Sequence, residues 1–296
     1  MTVTRVAAVA GAFGRDLEAA FDTITALIAD ARTQGVRLLV LPEAALGGYL
    51  ADLSGSSDPY TAEGGLPPAL RLDGPEIARL AELAGDMVVC AGFCEDDPEG
   101  SGRRFNAAVA VCGGEVLGSY RKVHQPLRED ASYAAGATFP IFDSPVGRMG
   151  MLICYDKAFP EAARALAVQG AEVIACLSAW PASQTDAAPE LADDRWTRRF
   201  DLFDQARALE NQVVWVASNQ AGSFGSLRFV CSAKVCGPGG DVLATTGTHP
   251  GVAAADVDIA GALARARRSM FHLRDRRPDL YAPTGSAGTA SELVTS

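Results

Sequence analysis

Short apolar segments recur along most of this 296-residue chain, and their number constrains the fold more than any other feature. Roughly ten to twelve of them have the length and composition of strands, and about five amphipathic segments between them have helical periodicity. That is too many strands for one simple open sheet. Two sheets packed face to face, with helices outside, would bury both sides of the apolar strands. We therefore predict an α/β fold, specifically a four-layer αββα sandwich of two mixed sheets.

The order of these segments predicts one continuous domain. Residues 5–10 and 36–41 predict strands on either side of an amphipathic helix at 16–34, which is the start of a parallel βαβ sheet. Three segments at 228–236, 242–246 and 252–257 predict a final β-meander. No Pro/Ser/Gly-rich linker divides the chain. We expect a single domain over residues 1–282 and a disordered tail at 283–296.

Composition excludes several classes of protein. The net charge of −10 and the lack of a basic patch argue against nucleic-acid and anionic-membrane partners. No apolar run approaches 18 residues, so we expect no membrane span, and no secretion signal is visible at the start. The seven cysteines lack a C-x-x-C pair and lie mostly in apolar runs, which predicts reduced thiols in a cytoplasmic protein.

Metal and nucleotide sites are not predicted either. The three histidines are not at ligand spacing, so neither a structural nor a catalytic zinc site is expected. Neither a G-x-G-x-x-G turn nor a Walker lysine follows a strand. Only three of the 26 basic residues are lysines, namely Lys122, Lys157 and Lys234. Lysine therefore stands out wherever a compact ammonium group could matter.

Residues 148–161 predict a buried strand, a tight turn and a helix that begins near Pro160. Cys154 lies at the turn, just before the helix start. The field there would favour the thiolate, which is the nucleophilic form. The backbone N–H of Tyr155 would be an oxyanion donor. The alternative is that Cys154 is an ordinary buried core cysteine.

Glu43 and Lys122 occupy similar positions at the ends of predicted strands. Together with Cys154 they form a workable nucleophilic set without histidine. Glu43 would take the thiol proton and later activate water, Lys122 would stabilise the developing oxyanion, and Cys154 would attack the substrate carbon. Taken singly, Glu43 could be a salt-bridge residue and Lys122 a solvated hairpin residue.

The motifs around these three positions resemble those of the nitrilase superfamily of carbon–nitrogen hydrolases. Leu41-Pro42-Glu43 with Gly48-Tyr49 resembles its glutamate motif, residues 120–124 its lysine motif, and residues 150–161 its cysteine motif. Further matches follow in family order at residues 206–211, 219–220, 238–240 and 276–281. The resemblance covers residues 4–282, which is nearly the whole chain.

The resemblance implies an αββα sandwich that forms a homodimer or higher homo-oligomer, with no metal or cofactor. It implies a Glu43–Lys122–Cys154 triad that cleaves non-peptide C–N bonds through a covalent cysteine intermediate. Many members hold a second glutamate near the lysine, and Glu129 is the nearest candidate. The alternative for Glu129 is a solvated loop residue beside Asp130. Residues 263–281 are expected to join the dimer contact.

The residues beside the nucleophile bear on the substrate. Cys154-Tyr155-Asp156 resembles the amidase-type branches rather than the true nitrilases, which usually have Cys-Trp-Glu. Many amidase-type members have an arginine where this chain has Ala158, and Lys157 could partly replace it in binding a substrate carboxylate. Substrate-binding candidates are Tyr49, Tyr155, Lys157 and Trp180, the last because it precedes an acidic loop at 182–194 that is expected to border the pocket.

We therefore predict an amidase-type carbon–nitrogen hydrolase that acts on a small or medium carboxamide and releases ammonia. The alternatives are an N-carbamoyl amine or amino-acid hydrolase using the same residues, and a nitrilase. From a different class, the chain could be a catalytically inactive binding protein on the same fold. The expected partner is a small-molecule amide or carbamoyl compound.

Overall fold

The computed structural model describes residues 3–53 and 65–281. The sequence of residues 47–68, which is rich in Gly, Ser and Pro, predicts a surface excursion near the site. Part of this segment, the predicted tail and the end of the predicted domain at residue 282 lie outside the described ranges and stay predictions. The strands are β1 (Thr4–Gly11), β2 (Val36–Val40), β3 (Val88–Asp96), β4 (Arg104–Cys112), β5 (Glu115–Arg121), β6 (Ile141–Ser144), β7 (Gly147–Ile153), β8 (Val173–Leu177), β9 (Val214–Ala217), β10 (Asn219–Gln220), β11 (Ser223–Phe224), β12 (Leu227–Arg228), β13 (Lys234–Cys236), β14 (Val242–Thr245) and β15 (Gly251–Val257). The α-helices are α1 (Leu17–Thr33), α2 (Pro75–Ala84), α3 (Pro160–Val168), α4 (Arg195–Asn211), α5 (Ile259–Ala266) and α6 (Pro278–Tyr281).

Local sequence explains where the longer helices begin. The Asp16 side chain accepts hydrogen bonds from the backbone N–H groups of Glu18 and Ala19 at the start of α1. Asp194 caps α4 in the same way, through the N–H of Trp196. Pro160 occupies the first position of α3, where its missing N–H costs nothing. The sequence predicts a strand at residues 173–177 and a long helix at 195–211, and β8 and α4 have these bounds.

The first sheet has the strand order β10-β1-β2-β3-β4-β5. β1, β2 and β3 are parallel, as the βαβ pattern predicts, and β4 and β5 continue as an antiparallel hairpin. β15 pairs antiparallel with β1 over Thr4–Ala10. The predicted final meander is therefore wrong, because β15 leaves β14 and joins the other sheet. Strand pairing between distant segments is not visible in local periodicity.

The second sheet has the order β14-β13-β9-β8-β7-β6 and is also mixed. β7, β8 and β9 are parallel to one another, whereas β6 and β13 are antiparallel to their neighbours. The segment predicted as one long strand at 228–236 contains only β12 and β13. The remaining pair, β11 and β12, forms a separate two-stranded ribbon.

The core has two main layers. Alternate residues of β1 face opposite sides of the first sheet, since side chains in a strand alternate between its faces. Ala7 and Val9 belong to the cluster with α1 and α2, whereas Val6 and Ala8 belong to the cluster with β7, β8, α3 and α4. This arrangement is the predicted αββα sandwich of two mixed sheets.

Two further predictions can be compared with the structure. All seven cysteines are buried and unpaired. Within the described ranges, no helix has both the length and the apolar composition needed to cross a membrane.

Candidate active site

Glu43 is buried in a turn that follows β2, at the carboxyl ends of the parallel strands of the first sheet. The turn lies unusually close to β3. A Cβ atom on Gly92 would be 2.4 Å from the backbone nitrogen of Ala44 and 2.7 Å from Cα of Glu43, so only glycine fits there. The Gln220 side chain also holds this turn in place, because it donates to the backbone carbonyl of Glu43 at 2.9 Å.

Three donors hold the Glu43 carboxylate. Lys122 Nζ lies 2.9 Å and Asn106 Nδ2 2.7 Å from Oε1, and the backbone N–H of Ala179 donates to Oε2 at 2.5 Å. Ala179 follows β8 of the second sheet, so the carboxylate connects the two sheets.

Lys122 follows β5 and is fully buried between two carboxylates. Its Nζ lies 2.9 Å from Glu43 Oε1 and 2.8 Å from Glu129 Oε2. Burial lowers the pKa of Lys122, but the charges of Glu129 and Glu43 outweigh it, and the net pKa is raised above the ordinary value. Lys122 is therefore an ammonium group, and the solvated-hairpin alternative is wrong.

Glu129 is fully buried as well, which contradicts the alternative of a solvated loop residue. Its Oε1 accepts hydrogen bonds from Tyr49 Oη at 2.9 Å and from Asn106 Nδ2 at 2.7 Å. Burial raises the pKa of Glu129, while Lys122 opposes the shift. Sequence reasoning missed Asn106. The available signal was a lone amide in β4, whose other central residues are apolar.

Cys154 begins a 3-10 turn, Cys154–Ala158, that connects β7 to α3. Its φ of 50° is in the left-handed region that non-glycine residues rarely adopt. Asp156 stabilises the turn because its buried carboxylate accepts from the N–H of Ile153 at 3.0 Å. The same carboxylate accepts from Tyr120 Oη at 2.7 Å and from the backbone N–H of His124 at 3.0 Å. The turn is thus joined to the segment that carries Lys122.

The predicted depression of the cysteine pKa is wrong. Burial raises the pKa of the Cys154 thiol well above its ordinary range, the Glu43 carboxylate raises it further, and Lys122 opposes both. A 3-10 turn, rather than the first turn of α3, follows the cysteine. The resting form is therefore the thiol, and a base must remove its proton before it can attack.

A cavity of about 110 Å³ opens at Cys154. Its lining is mostly apolar and aromatic and consists of Tyr49, Leu53, Pro126, Leu127, Cys154, Tyr155, Ala179, Trp180, Pro181 and Trp196. Three of the four predicted substrate-binding residues, Tyr49, Tyr155 and Trp180, are in this lining. In sequence, the acidic loop at 182–194 follows Pro181 and lies before Trp196, and both of these residues belong to the lining.

Lys157 does not line the cavity. Its side chain is fully buried, and Nζ lies 2.7 Å from Asp204 Oδ1 of α4 and 3.1 Å from the centre of the Phe200 ring. The prediction that Lys157 could grip a substrate carboxylate is wrong for this structure. The sequence places a charge three residues after Cys154, but only the packing of the turn against α4 decides which way it points.

Comparison with known proteins agrees with this geometry. Residues 5–267 match the model of the carbon-nitrogen hydrolase family. The chain belongs to the carbon–nitrogen hydrolase family. This confirms the predicted resemblance to the nitrilase superfamily and makes the protein a hydrolase of C–N bonds.

Individual relatives of this carbon–nitrogen hydrolase are moderately similar. It is 28% identical to human omega-amidase (86% of this chain and 88% of that one), and 29% identical to N-carbamoylputrescine amidase of Arabidopsis thaliana (86% of each). An amidase of the nitrilase superfamily from Nesterenkonia superposes with a TM-score of 0.71 at 27% identity, covering 94% of this chain and 95% of that one. The structure of a mutant of that amidase, 26% identical and with the same TM-score and coverage, shows covalent addition of the acetamide moiety of fluoroacetamide at the active-site cysteine.

Across residues 3–53 and 65–281, no group of three or more His, Cys, Asp and Glu side chains is arranged to hold a metal ion. The carboxylates that approach one another, Glu43 and Glu129, are both occupied by Lys122.

Proposed function

We propose that this carbon–nitrogen hydrolase converts a small carboxamide into a carboxylic acid and ammonia through a thioester on Cys154. One observation carries the proposal. Cys154 lines a cavity directly beside a buried Glu43–Lys122 contact of 2.9 Å, and both charges act on the thiol. A nucleophile, a base and a cation thus share one site.

The first half of the reaction would form the thioester. Glu43 takes the thiol proton as Sγ attacks the amide carbon, so that an S–C bond forms and the carbonyl oxygen becomes an oxyanion. Glu43 then gives this proton to the amide nitrogen, the C–N bond breaks and ammonia leaves. The raised thiol pKa makes the carboxylate base necessary, because little thiolate exists before substrate binds.

The second half would hydrolyse the thioester. Glu43 takes a proton from a water molecule whose oxygen attacks the thioester carbon, and the C–S bond breaks as the proton returns to sulfur. The products are the carboxylic acid and the original thiol. The net reaction consumes one water molecule for each amide and uses no other co-reactant.

The oxyanion in both halves would be stabilised by Lys122 and by the backbone N–H of Tyr155. Lys122 is an ammonium fixed by two carboxylates, so it needs no reorganisation when negative charge develops. Glu129 and Asn106 would act as positioning residues for Lys122 and Glu43. The family resemblance implies a second glutamate near the lysine, and Glu129 is the candidate for it.

Relatives support amide cleavage but leave a carbamoyl alternative. In a mutant of the Nesterenkonia amidase, the acetamide moiety of fluoroacetamide is covalently attached to the active-site cysteine, which supports a nucleophilic cysteine at the corresponding position here. The Arabidopsis relative is an N-carbamoylputrescine amidase, so carbamoyl compounds are the second candidate. Their cleavage would use the same residues and release carbon dioxide as well as ammonia.

Ammonia and carbon dioxide release from a panel of carboxamides, carbamoyl amines and nitriles would test the proposal. We expect ammonia without carbon dioxide from at least one carboxamide, and a loss of at least about a thousandfold in Cys154→Ala. Cys90→Ala is the matched control, because Cys90 is a buried thiol in β3 away from the cavity lining. Turnover that persists in Cys154→Ala would remove the nucleophile from the proposal.

We also propose that the protein is a homo-oligomer whose contact includes the C-terminal segment. Met270 and Leu280 are each 67% exposed, and Tyr281 is 59% exposed, which is unusual for large apolar side chains. Sedimentation at working concentration should give at least a dimer, and Leu280→Arg should weaken it. A monomeric wild-type protein would contradict the proposal.

We also propose that the protein is located in the cytoplasm. Seven buried, unpaired thiols suit a reducing compartment. Fractionation of the source cells with an antibody against the protein would test this, and recovery with an oxidising compartment would contradict it.

A further inference from the structure

We propose that the cavity at Cys154 selects a short, uncharged acyl group and discriminates against amides that carry a carboxylate or an ammonium group on the acyl chain. This inference rests on the proposed function and names the substrate class of that site. It differs from a general amidase assignment because it depends on the side chains that line this cavity.

The inner wall of the cavity is aromatic and fixed. The Trp180 ring packs against Trp196, Phe200 and Phe203 at centroid distances of 5.8–6.1 Å. Asn219 Oδ1 accepts the backbone N–H of Trp180 at 2.8 Å, which sets the position of this residue. A wall held in this way presents apolar surface to whatever occupies the cavity.

The second tryptophan is fixed by a helix cap. Asp194 Oδ1 accepts the N–H of Trp196 at 2.8 Å, and the same buried carboxylate accepts the N–H and hydroxyl of Ser183. The carboxylate two residues before Trp196 therefore anchors this part of the wall. It is 1% exposed and does not line the cavity.

The outer part of the cavity is apolar as well. Leu53, Pro126 and Leu127 belong to its lining, and Leu127 is 57% exposed, so it stands where the cavity meets solvent. None of the described residues that line the cavity is an Asp, Glu, Lys, Arg or His. The lining therefore carries no formal charge while Cys154 is a thiol.

The charges behind the cavity are already paired. Lys122 contacts both Glu43 and Glu129 within 2.9 Å, and the buried Lys157 contacts Asp204 at 2.7 Å. A charged group on the acyl chain would therefore lose water without gaining an ion-pair partner, and burial of an unpaired charge is strongly unfavourable. A neutral aliphatic chain would instead gain contact with the tryptophans and leucines.

The size of the cavity points to a short chain. Its volume of about 110 Å³ is well below the ~300–1,000 Å³ that is usual for sites that enclose drug-sized ligands. An acyl group of a few carbon atoms suits this space.

Three amides of similar length and different charge test the proposal, namely pentanamide, succinamate and 4-aminobutanamide. We expect kcat/KM, from ammonia release, to be roughly a hundredfold higher for neutral pentanamide than for either charged compound. Equal or better turnover of a charged amide would overturn this inference and leave the amidase function intact. If no amide in the wider panel releases ammonia, the proposed function fails, and this inference fails with it.

A charge placed at the mouth of the cavity gives a second, independent test. Leu127→Arg should raise the ratio of kcat/KM for succinamate over pentanamide by about tenfold or more, and it should lower the ratio for 4-aminobutanamide. Leu243→Arg is the matched control, since Leu243 is 43% exposed on β14 and is not part of the cavity lining. The same ratios in both variants would show that Leu127 does not face the bound acyl chain, which would overturn this part of the inference.

Discussion

The side-chain amide of Asn106 lies 2.7 Å from Oε1 of Glu43, in the buried interior beside Cys154. The same Nδ2 is 2.7 Å from Oε1 of Glu129. One amide in β4 therefore donates to two carboxylates that share a single ammonium, Lys122. Without this donor, each of the two carboxylates would lose one hydrogen bond, and Lys122 would supply a larger share of the stabilisation of both.

We expect Asn106→Leu, which is close in volume, to lower kcat by roughly 10- to 100-fold and to move the acid limb of the kcat/KM profile to higher pH. Hydrogen bonds from Asn106 favour the charged form of Glu129, so their loss raises the pKa of that carboxyl further. Urea unfolding separates this effect from simple destabilisation. An acid limb that does not move would contradict the role assigned to Asn106.

Glu129→Gln should move the basic limb of the kcat/KM profile to lower pH. Burial lowers the pKa of Lys122, and the charges of Glu129 and Glu43 raise it above the ordinary value. With Glu129 neutral, the Lys122 pKa falls and the ammonium is lost at a lower pH. The exposed neighbour provides the control, because Asp130→Asn changes a side chain that is 66% exposed and should leave both limbs in place.

Asp156→Asn should lower the free energy of unfolding by about 2–4 kcal/mol. The carboxylate accepts hydrogen bonds from Tyr120 Oη and from the backbone N–H groups of Ile153 and His124, and an amide cannot accept all of them. Asp143→Asn is the control, since Asp143 is 87% exposed in its contact with Arg148. Denaturant titration that gives equal stabilities for the two variants would contradict this account of the turn.

Asp204→Asn should cost about 3–5 kcal/mol of unfolding free energy near neutral pH, because two buried lysines lose their shared carboxylate. Asp204 Oδ1 lies 2.7 Å from Lys157 Nζ, and Oδ2 lies 2.8 Å from Lys234 Nζ. Burial raises the Asp204 pKa, but the two ammonium groups outweigh it, and the net pKa is below the ordinary value.

The pH dependence of that difference has a definite sign. A carboxyl whose pKa is lower in the folded state stabilises the fold fully above the unfolded pKa of about 3.9, and loses this contribution as the pH falls through the folded pKa. The gap between wild type and Asp204→Asn should thus be constant down to about pH 4 and narrow below it. A gap that widens in acid would contradict the assignment. Asp201→Asn, at a carboxylate that is 41% exposed and contacts one lysine, Lys234, should cost less.

The local sequence pattern predicted much of the fold, because the periodicity of apolar residues and the helix caps are properties of short segments. The bounds of β8 and α4, Pro160 at the start of α3, and Asp16 before α1 all depend on nearby residues. The pairing of β15 with β1, in the first sheet, could not be predicted in this way. The two segments are separated by about 240 residues, and a strand's own sequence does not specify its partner.

The positions of Glu43, Lys122 and Cys154 followed from the sequence because each polar residue ends an apolar strand. The Cys154 pKa did not, because it depends on burial and on the charge of Glu43, which is 111 positions away. Asn106 was missed for a related reason. A single amide in an apolar strand can face either side, and only the packing of β4 beside Glu43 and Glu129 gives it a function.

The three lysines show the division between sequence and structure most clearly. The sequence by itself determined that lysine is rare here and that two of its lysines lie beside the motifs of a carbon–nitrogen hydrolase. Only the tertiary structure decided that all three are buried, that Lys122 contacts Glu43 and Glu129, and that Lys157 contacts Asp204 instead. The physical reason is that a buried ammonium requires a carboxylate partner, and these partners come from segments that meet only when the chain folds.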